Sequence, residues 1–243
     1  MNTPLAGLRV LDFSTLLPGP FATLYLADLG ADVIHIESPT RPDLVRIMPP
    51  YANGQATAHS YLNRNKQSIT LDLKDRASIE KIYAKIQEVD IVVEQFRPGV
   101  MTRLGLDYAT LSALNPALIY CSITGYGQTG TYRDRAGHDI NYVALSGIAG
   151  YGGRKASGPP PMGIQIADVA GGSLHAVIGI LTAVIERSKS GLGQHVDISM
   201  TDCAAGLNAM SAAATLAAEV PPRSESEVLN GGSFYDYYET ADG

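Results

Sequence analysis

Residues 8–37 run LRVLDFSTLLPGPFATLYLADLGADVIHIE: a short apolar segment at 8–13, an apolar helical segment at 21–29 stopped by Gly30, and a second apolar segment at 31–37. Strand, helix and strand joined by short turns predict a βαβ unit, whose two strands lie parallel with a right-handed crossover. Ligands on such sheets bind beyond the C-terminal ends of the strands. The turn from Ser14 to Pro20 lacks the GxGxxG pattern, so the unit does not by itself imply a dinucleotide.

The alternation continues outward from this unit. A strand is expected at 69–73, a helix at 77–88, and strands at 90–94 and 118–123. Residues 41–65 form a long polar connection, and 147–163, rich in Gly, Pro and Ser, read as a loop over a site. A helix at 169–187, a strand at 195–198 and an Ala-rich helix at 203–219 follow, the last ended by Pro221 and Pro222. The aromatic run 234–238 reads as a strand, and the closing TADG as a hairpin turn whose second strand is missing. The class expected is α/β with a Rossmann-like parallel sheet.

Bulk properties exclude several functions. The 243 residues are 45% hydrophobic and carry a net charge of −6 without a Lys/Arg run, so nucleic acid is not an expected partner. An anionic ligand must then be met by a few local Arg, Lys and backbone N–H groups. Cys121 and Cys203 are far apart, without metal-ligand spacing, which predicts no disulfide, no metal site and a reducing, cytoplasmic setting. The longest apolar stretch, 174–185, falls short of the roughly 18 residues of a membrane span, and residues 1–10 show no secretory pattern.

A few residues could carry chemistry. Asp168 precedes a helical segment, where Asp is a favoured N-cap and where a carboxylate is held ionised for use as a base or nucleophile. Gly171 and Gly172 cost roughly 1 kcal/mol each in a helix; either close helix packing or close ligand approach accounts for them. His138, at the mouth of an expected helix, is either a hydrogen-bonded structural residue or a group able to trade a proton near neutral pH. Arg64, Lys66 and Arg97 adjoin strands where phosphate could be held, or are solvated surface charges.

Ordered segments along the whole chain resemble the class III CoA-transferase (CaiB/BaiF) and α-methylacyl-CoA racemase family: LAGLRVLD at 5–12, PGP at 18–20, LGADVI at 29–34, NRNK at 63–66, FRPGV at 96–100, TGYG at 124–127, AGHDINY at 136–142, ADVAGG at 167–172, GQHVD at 193–197 and YETADG at 238–243. The resemblance implies a CoA-binding large domain (1–200), the linker helix and beginning of a smaller α+β domain (201–243), and an interlocked homodimer. Family members continue past the ADG turn, so the chain is expected to be an incomplete copy. No cofactor is implied beyond coenzyme A as part of the substrate.

Asp168 matches the family's catalytic carboxylate. The AGHDINY segment looks like the racemase motif, which makes His138 the second acid/base group, assisted by Glu239. The expected activity is racemisation of 2-methylacyl-CoA thioesters by 1,1-proton transfer. The alternative is transfer of CoA between carboxylic acids through an anhydride and thioester at Asp168. Arg64, Lys66, Arg97, Gly125, Tyr126 and Gly137 are the implied CoA contacts. Ser38 stands where several racemases carry Arg, so Arg41 or Arg46 is expected to supply that phosphate contact. The 147–163 loop and Tyr235 to Tyr238 are expected to shape the acyl pocket.

Overall fold

The computed structural model describes residues 3–242; residues 1 and 2 of the expected large domain, and Gly243 of the expected closing turn, lie outside them. The opening unit forms as β1 (Arg9–Asp12), α1 (Pro18–Asp28) and β2 (Asp32–Glu37). Helix α1 starts three residues before the expected Phe21, because the fixed φ and missing N–H of a proline do no harm in a first turn, and Pro18 occupies that place. The helix ends at Gly30, whose φ of 101° supplies the left-handed turn that closes it.

The polar connection is more ordered than its composition suggests. A hairpin, β3 (Tyr51–Ala52) and β4 (Gln55–Ala56), turns on Asn53 and Gly54, both at positive φ as a type I′ turn requires. Helix α2 (Thr57–Leu62) follows and leads into β5 (Gln67–Thr70). Next come α3 (Arg76–Lys85) and β6 (Ile91–Glu94), then α4 (Val100–Leu104) and α5 (Tyr108–Leu114), two short helices not expected from periodicity, and β7 (Ile119–Thr124). Helix α6 (Asp139–Leu145) precedes the Gly/Pro-rich loop. A π-helical segment, Ala167–Leu174, then runs directly into α7 (His175–Ser190), followed by β8 (His195–Ser199), α8 (Met200–Leu207) and α9 (Ala209–Ala218). The single helix expected at 203–219 is two helices, divided at Asn208.

Six strands form one sheet in the order β5-β2-β1-β6-β7-β8, every neighbouring pair parallel. Counted among themselves they run 3-2-1-4-5-6, the doubly wound order, whose direction reverses between β1 and β6. Successive residues of a strand face opposite sides, so Val10, Val93 and Cys121 pack under α1, the π-helical segment and α7, while Leu11, Val92 and Tyr120 pack against Ile79, Ile82 and Leu111 on the other side. Met200 and Ala204 belong to the first of these cores, so the start of α8 is part of the sheet domain.

The continuous helix Ala167–Ser190, 24 residues long, is by length and composition enough to cross a membrane, which corrects the expectation from 174–185 alone. One stripe of it, including Ala176, Ile180 and Ala183, is buried in the sheet core. Beyond Ala218 the described residues carry no helix or strand. The aromatic run therefore forms no strand, for want of a partner to pair with, and Tyr237 is 96% exposed.

Candidate active site

Asp168 sits half-buried in the first turn of the π-helical segment. The cap position belongs to Ile166, and the capping oxygen comes from elsewhere: Oδ1 of Asp139, first residue of α6, accepts the backbone N–H groups of Ala167 at 2.7 Å and Asp168 at 3.0 Å. The expectation that Asp168 caps its own helix is thus corrected. Asp139 satisfies the orphan N–H groups, and the Asp168 carboxyl is left over for other work. Burial, together with the Asp139 charge, pushes that carboxyl up to about 6, while His138 pulls it the other way.

His138 immediately precedes α6 and is exposed, its backbone N–H donating to Asn141 Oδ1 at 2.9 Å. One helix start therefore presents the imidazole and grips the backbone of Asp168. Tyr142, on the same helix, donates to the Gly137 carbonyl at 2.6 Å and packs edge-on against Tyr126. Burial and then the Asp168 charge raise its phenol to about 12.

Asp139→Asn keeps an acceptor oxygen for the two N–H groups and removes the like charge. The Asp168 carboxyl should then titrate below its present value of about 6. A carboxyl-carbon NMR titration measures this, and an unshifted midpoint would show that Asp139 acts on Asp168 only as a cap.

The glycines are explained by packing. A Cβ on Gly171 would lie 3.0 Å from the Met200 carbonyl oxygen, and one on Gly172 would lie 3.1 Å from Met200 Cγ and 3.2 Å from Pro18 Cβ. Both keep the π-helical segment close against α8, and Gly172 also keeps it close against the first residue of α1. Likewise a Cβ on Gly125 or Gly137 would come within 2.5 or 2.6 Å of Tyr142 Cε1. The close approach at these two glycines, expected from CoA, is made by a tyrosine ring.

The three expected phosphate contacts differ in availability. Arg97, beyond the end of β6, is exposed and carries no ion pair among the described residues. Arg64 is exposed, bound to Asp28 at 2.5 Å and stacked over the Tyr61 ring. The Lys66 side chain is 1% exposed: its ammonium donates to Asp12 at 3.2 Å, to the Pro20 carbonyl at 2.9 Å and to Asn63 Oδ1 at 3.0 Å. It is therefore a buried structural cation, a correction to its expected CoA contact. Arg46 is held by both oxygens of Glu37, and hydrogen bonding to it lowers that carboxyl to about 2.

Glu239 is not brought to His138. It is exposed, in a segment tied to the 147–163 loop by Arg154, which bonds Asp236 at 2.6 and 2.7 Å and Glu225 at 3.1 Å. The expected His138 and Glu239 pair is thus not formed within the described chain. Sequence reading missed Asp139 and Tyr142 as site residues. Asp139 was visible as an acidic residue opening a helix, but its partners lie 28 and 29 positions away.

The profile of CoA-transferase family III matches residues 5–243. The succinate–glutarate CoA-transferase of Agrobacterium fabrum is 37% identical over 247 residues, covering 99% of this chain and 62% of that protein. The alpha-methylacyl-CoA racemase of Mus musculus is also 37% identical, over 241 residues, covering 98% of this chain and 59% of that protein. A CAIB/BAIF family protein from Brucella suis, of known crystal structure, superposes with a TM-score of 0.87 at 39% identity, covering 93% of this chain and 61% of that one. The chain spans about three fifths of the length of these relatives.

Proposed function

The chain belongs to CoA-transferase family III, and from that premise we propose that it racemises 2-methylacyl-CoA thioesters by 1,1-proton transfer at the α-carbon. The observation that carries this reading is a carboxyl raised to about 6 and lying under the influence of His138. A proton carrier works best when its pKa lies near the operating pH. One group removes the α-proton from one face, electrons pass onto the thioester oxygen, and the other group returns a proton to the opposite face. Asp168 and His138 exchange these roles with the direction of reaction.

Within this reading Arg97, and Arg64 once released from Asp28, hold CoA phosphates, with Tyr126 nearby. The sheet domain, including the start of α8, acts as the CoA-binding domain, and the residues after it lead into a smaller one. A second copy of the chain completes the site, in the cytoplasm, and Glu239 serves His138 only in that assembly. The second reading is CoA transfer through Asp168, for which the identity to a transferase equals that to a racemase.

An exchange assay in deuterated water separates the two. Racemisation places deuterium at the α-carbon of 2-methylacyl-CoA without an added carboxylate, and His138→Ala slows that exchange by on the order of 10²-fold or more. CoA transfer to an added carboxylate, with no α-deuterium and no effect of His138→Ala, would overturn the racemase reading.

A further inference from the structure

The side chain of Gln95, the residue after β6, reaches across the switch between β1 and β6. Its Nε2 donates to the Thr15 carbonyl at 2.5 Å, and its Oε1 accepts the backbone N–H of Gly19, in the first turn of α1, at 2.8 Å. Among the described residues, these two are the hydrogen bonds that join residues 14–20 to residues 95–99. We infer that Gln95 is a positioning residue: it fixes Arg97, two places further on, relative to Asp168, and so holds the CoA phosphate anchor in register with the carboxyl that moves the α-proton. The inference rests on the acyl-CoA reading above and adds a residue to it.

Both ends of this tie are firm. The turn at 14–20 is gripped by Asp12, which accepts the Ser14 N–H at 2.9 Å, by Asp43, which accepts that of Leu16, and by Lys66, which donates to the Pro20 carbonyl at 2.9 Å. On its far side the buried Ser173 hydroxyl is shared between the Pro18 carbonyl at 2.7 Å and the Asp168 carbonyl at 3.2 Å. A shift of the turn is therefore a shift of the Asp168 backbone. At the other end, Glu94 Oε2 accepts the Phe96 N–H at 2.8 Å, and the Val100 N–H closes on the Arg97 carbonyl at 3.1 Å.

Chemistry selects glutamine for this place. A donor must meet the Thr15 carbonyl and an acceptor the Gly19 N–H, and a neutral amide supplies one of each. An apolar side chain would leave both partners unpaired. The fit has no slack, since a Cβ on Gly19 would lie 2.7 Å from Gln95 Oε1. Arg97 and Asp168 also act on one ring: burial first, and then the Asp168 charge, raises the Tyr142 phenol, while the Arg97 charge lowers it. Binding energy released at the CoA phosphates speeds proton transfer only when that anchor and the reacting carboxyl are held in register.

The test follows α-hydrogen exchange in deuterated water on 2-methylhexanoyl-CoA and on 2-methylhexanoyl-pantetheine, which carries no phosphate. Gln95→Met, an unbranched side chain of similar length without the amide, should lower kcat on the CoA thioester by about tenfold or more, with KM changed less, and on the pantetheine thioester by less than about threefold. Gln95→Asn, an amide too short to span both partners, should give the same split in milder form, and serves if the Met variant does not fold. Arg97→Ala should lose little more when Gln95→Met is added, because the tie acts through Arg97. Equal slowing of the two thioesters, or a Gln95→Met loss undiminished in the Arg97→Ala background, would overturn the assignment and leave the racemase reading standing. Exchange on neither thioester would sink the racemase reading, and the same split is then read from thioester transfer to an added carboxylate, the alternative reaction at Asp168.

Discussion

Asp168→Asn should abolish α-hydrogen exchange, by on the order of 10³-fold or more, while making the protein more stable at pH 7.5. The first effect follows because an amide carries no exchangeable acid/base proton near neutral pH, and general acid/base groups contribute about 10²- to 10⁴-fold. Stability moves the other way for a separate reason. Burial first, and the Asp139 charge second, raise the Asp168 carboxyl to about 6 from an ordinary value of 3.8. A group whose folded pKa is raised favours the folded state while it is protonated, below its unfolded pKa, and that contribution is lost as pH rises through the folded value.

Above about pH 6 the folded protein thus bears an ionised, half-buried Asp168 against its own stability. Removing that charge should recover on the order of 1 kcal/mol at pH 7.5, allowing for partial exposure, and nothing at pH 4. Thermal melts of both proteins at the two pH values, beside the exchange assay, check the pair of effects. A variant no more stable at pH 7.5 than at pH 4, relative to the parent, would refute the account of the raised carboxyl.

Lys66→Met should destabilise the protein by about 3 kcal/mol or more, the order expected when one partner of a buried ion pair is removed. Asp12, at the C-terminal end of β1, is fully buried, accepts from Ser14 and Thr23, and has His35 Nδ1 at 3.3 Å as well as Lys66 at 3.2 Å. Burial alone would raise its carboxyl; the charges of Lys66 and His35 outweigh that and hold it below the usual carboxylate range. Burial correspondingly pulls the Lys66 ammonium down against the raising influence of Asp12.

Without Lys66 the carboxylate keeps its hydroxyl donors but loses its main counter-charge. The double change Asp12→Asn with Lys66→Met should recover part of the loss, because it leaves no unpaired buried charge. Denaturant unfolding of the single and double variants measures this. A Lys66→Met protein of unchanged stability with a raised KM for acyl-CoA would restore the phosphate-contact role that the buried ammonium argues against.

Asp12 and Lys66 also show where sequence reading stops. Lys66 stands in NRNK beside a strand, where an ammonium is indistinguishable from a surface charge until its partner 54 positions away is known. The same holds for Asp168. Its place at the head of an apolar helix was legible, and Asp is a good cap there, but the cap is a second aspartate 29 positions earlier. Asn53 and Gly54 were a local signal that was present and overlooked, and the hairpin follows from them.

Local pattern by itself therefore determined the six strands of the parallel sheet and most helices, the parallel α/β class, the family through its ordered segments, and Asp168 and His138 as the residues to watch. Those features depend on periodicity and on neighbours within a few positions, where apolar spacing and turn residues act directly on the backbone. Tertiary structure alone decided that Asp139 frees the Asp168 carboxyl and raises it, that Lys66 is buried while Arg97 carries no ion pair among the described residues, and that Gly125 and Gly137 admit Tyr142. Each of these depends on burial and on charges brought together from distant parts of the chain, and desolvation and Coulomb energy have no value until that meeting occurs.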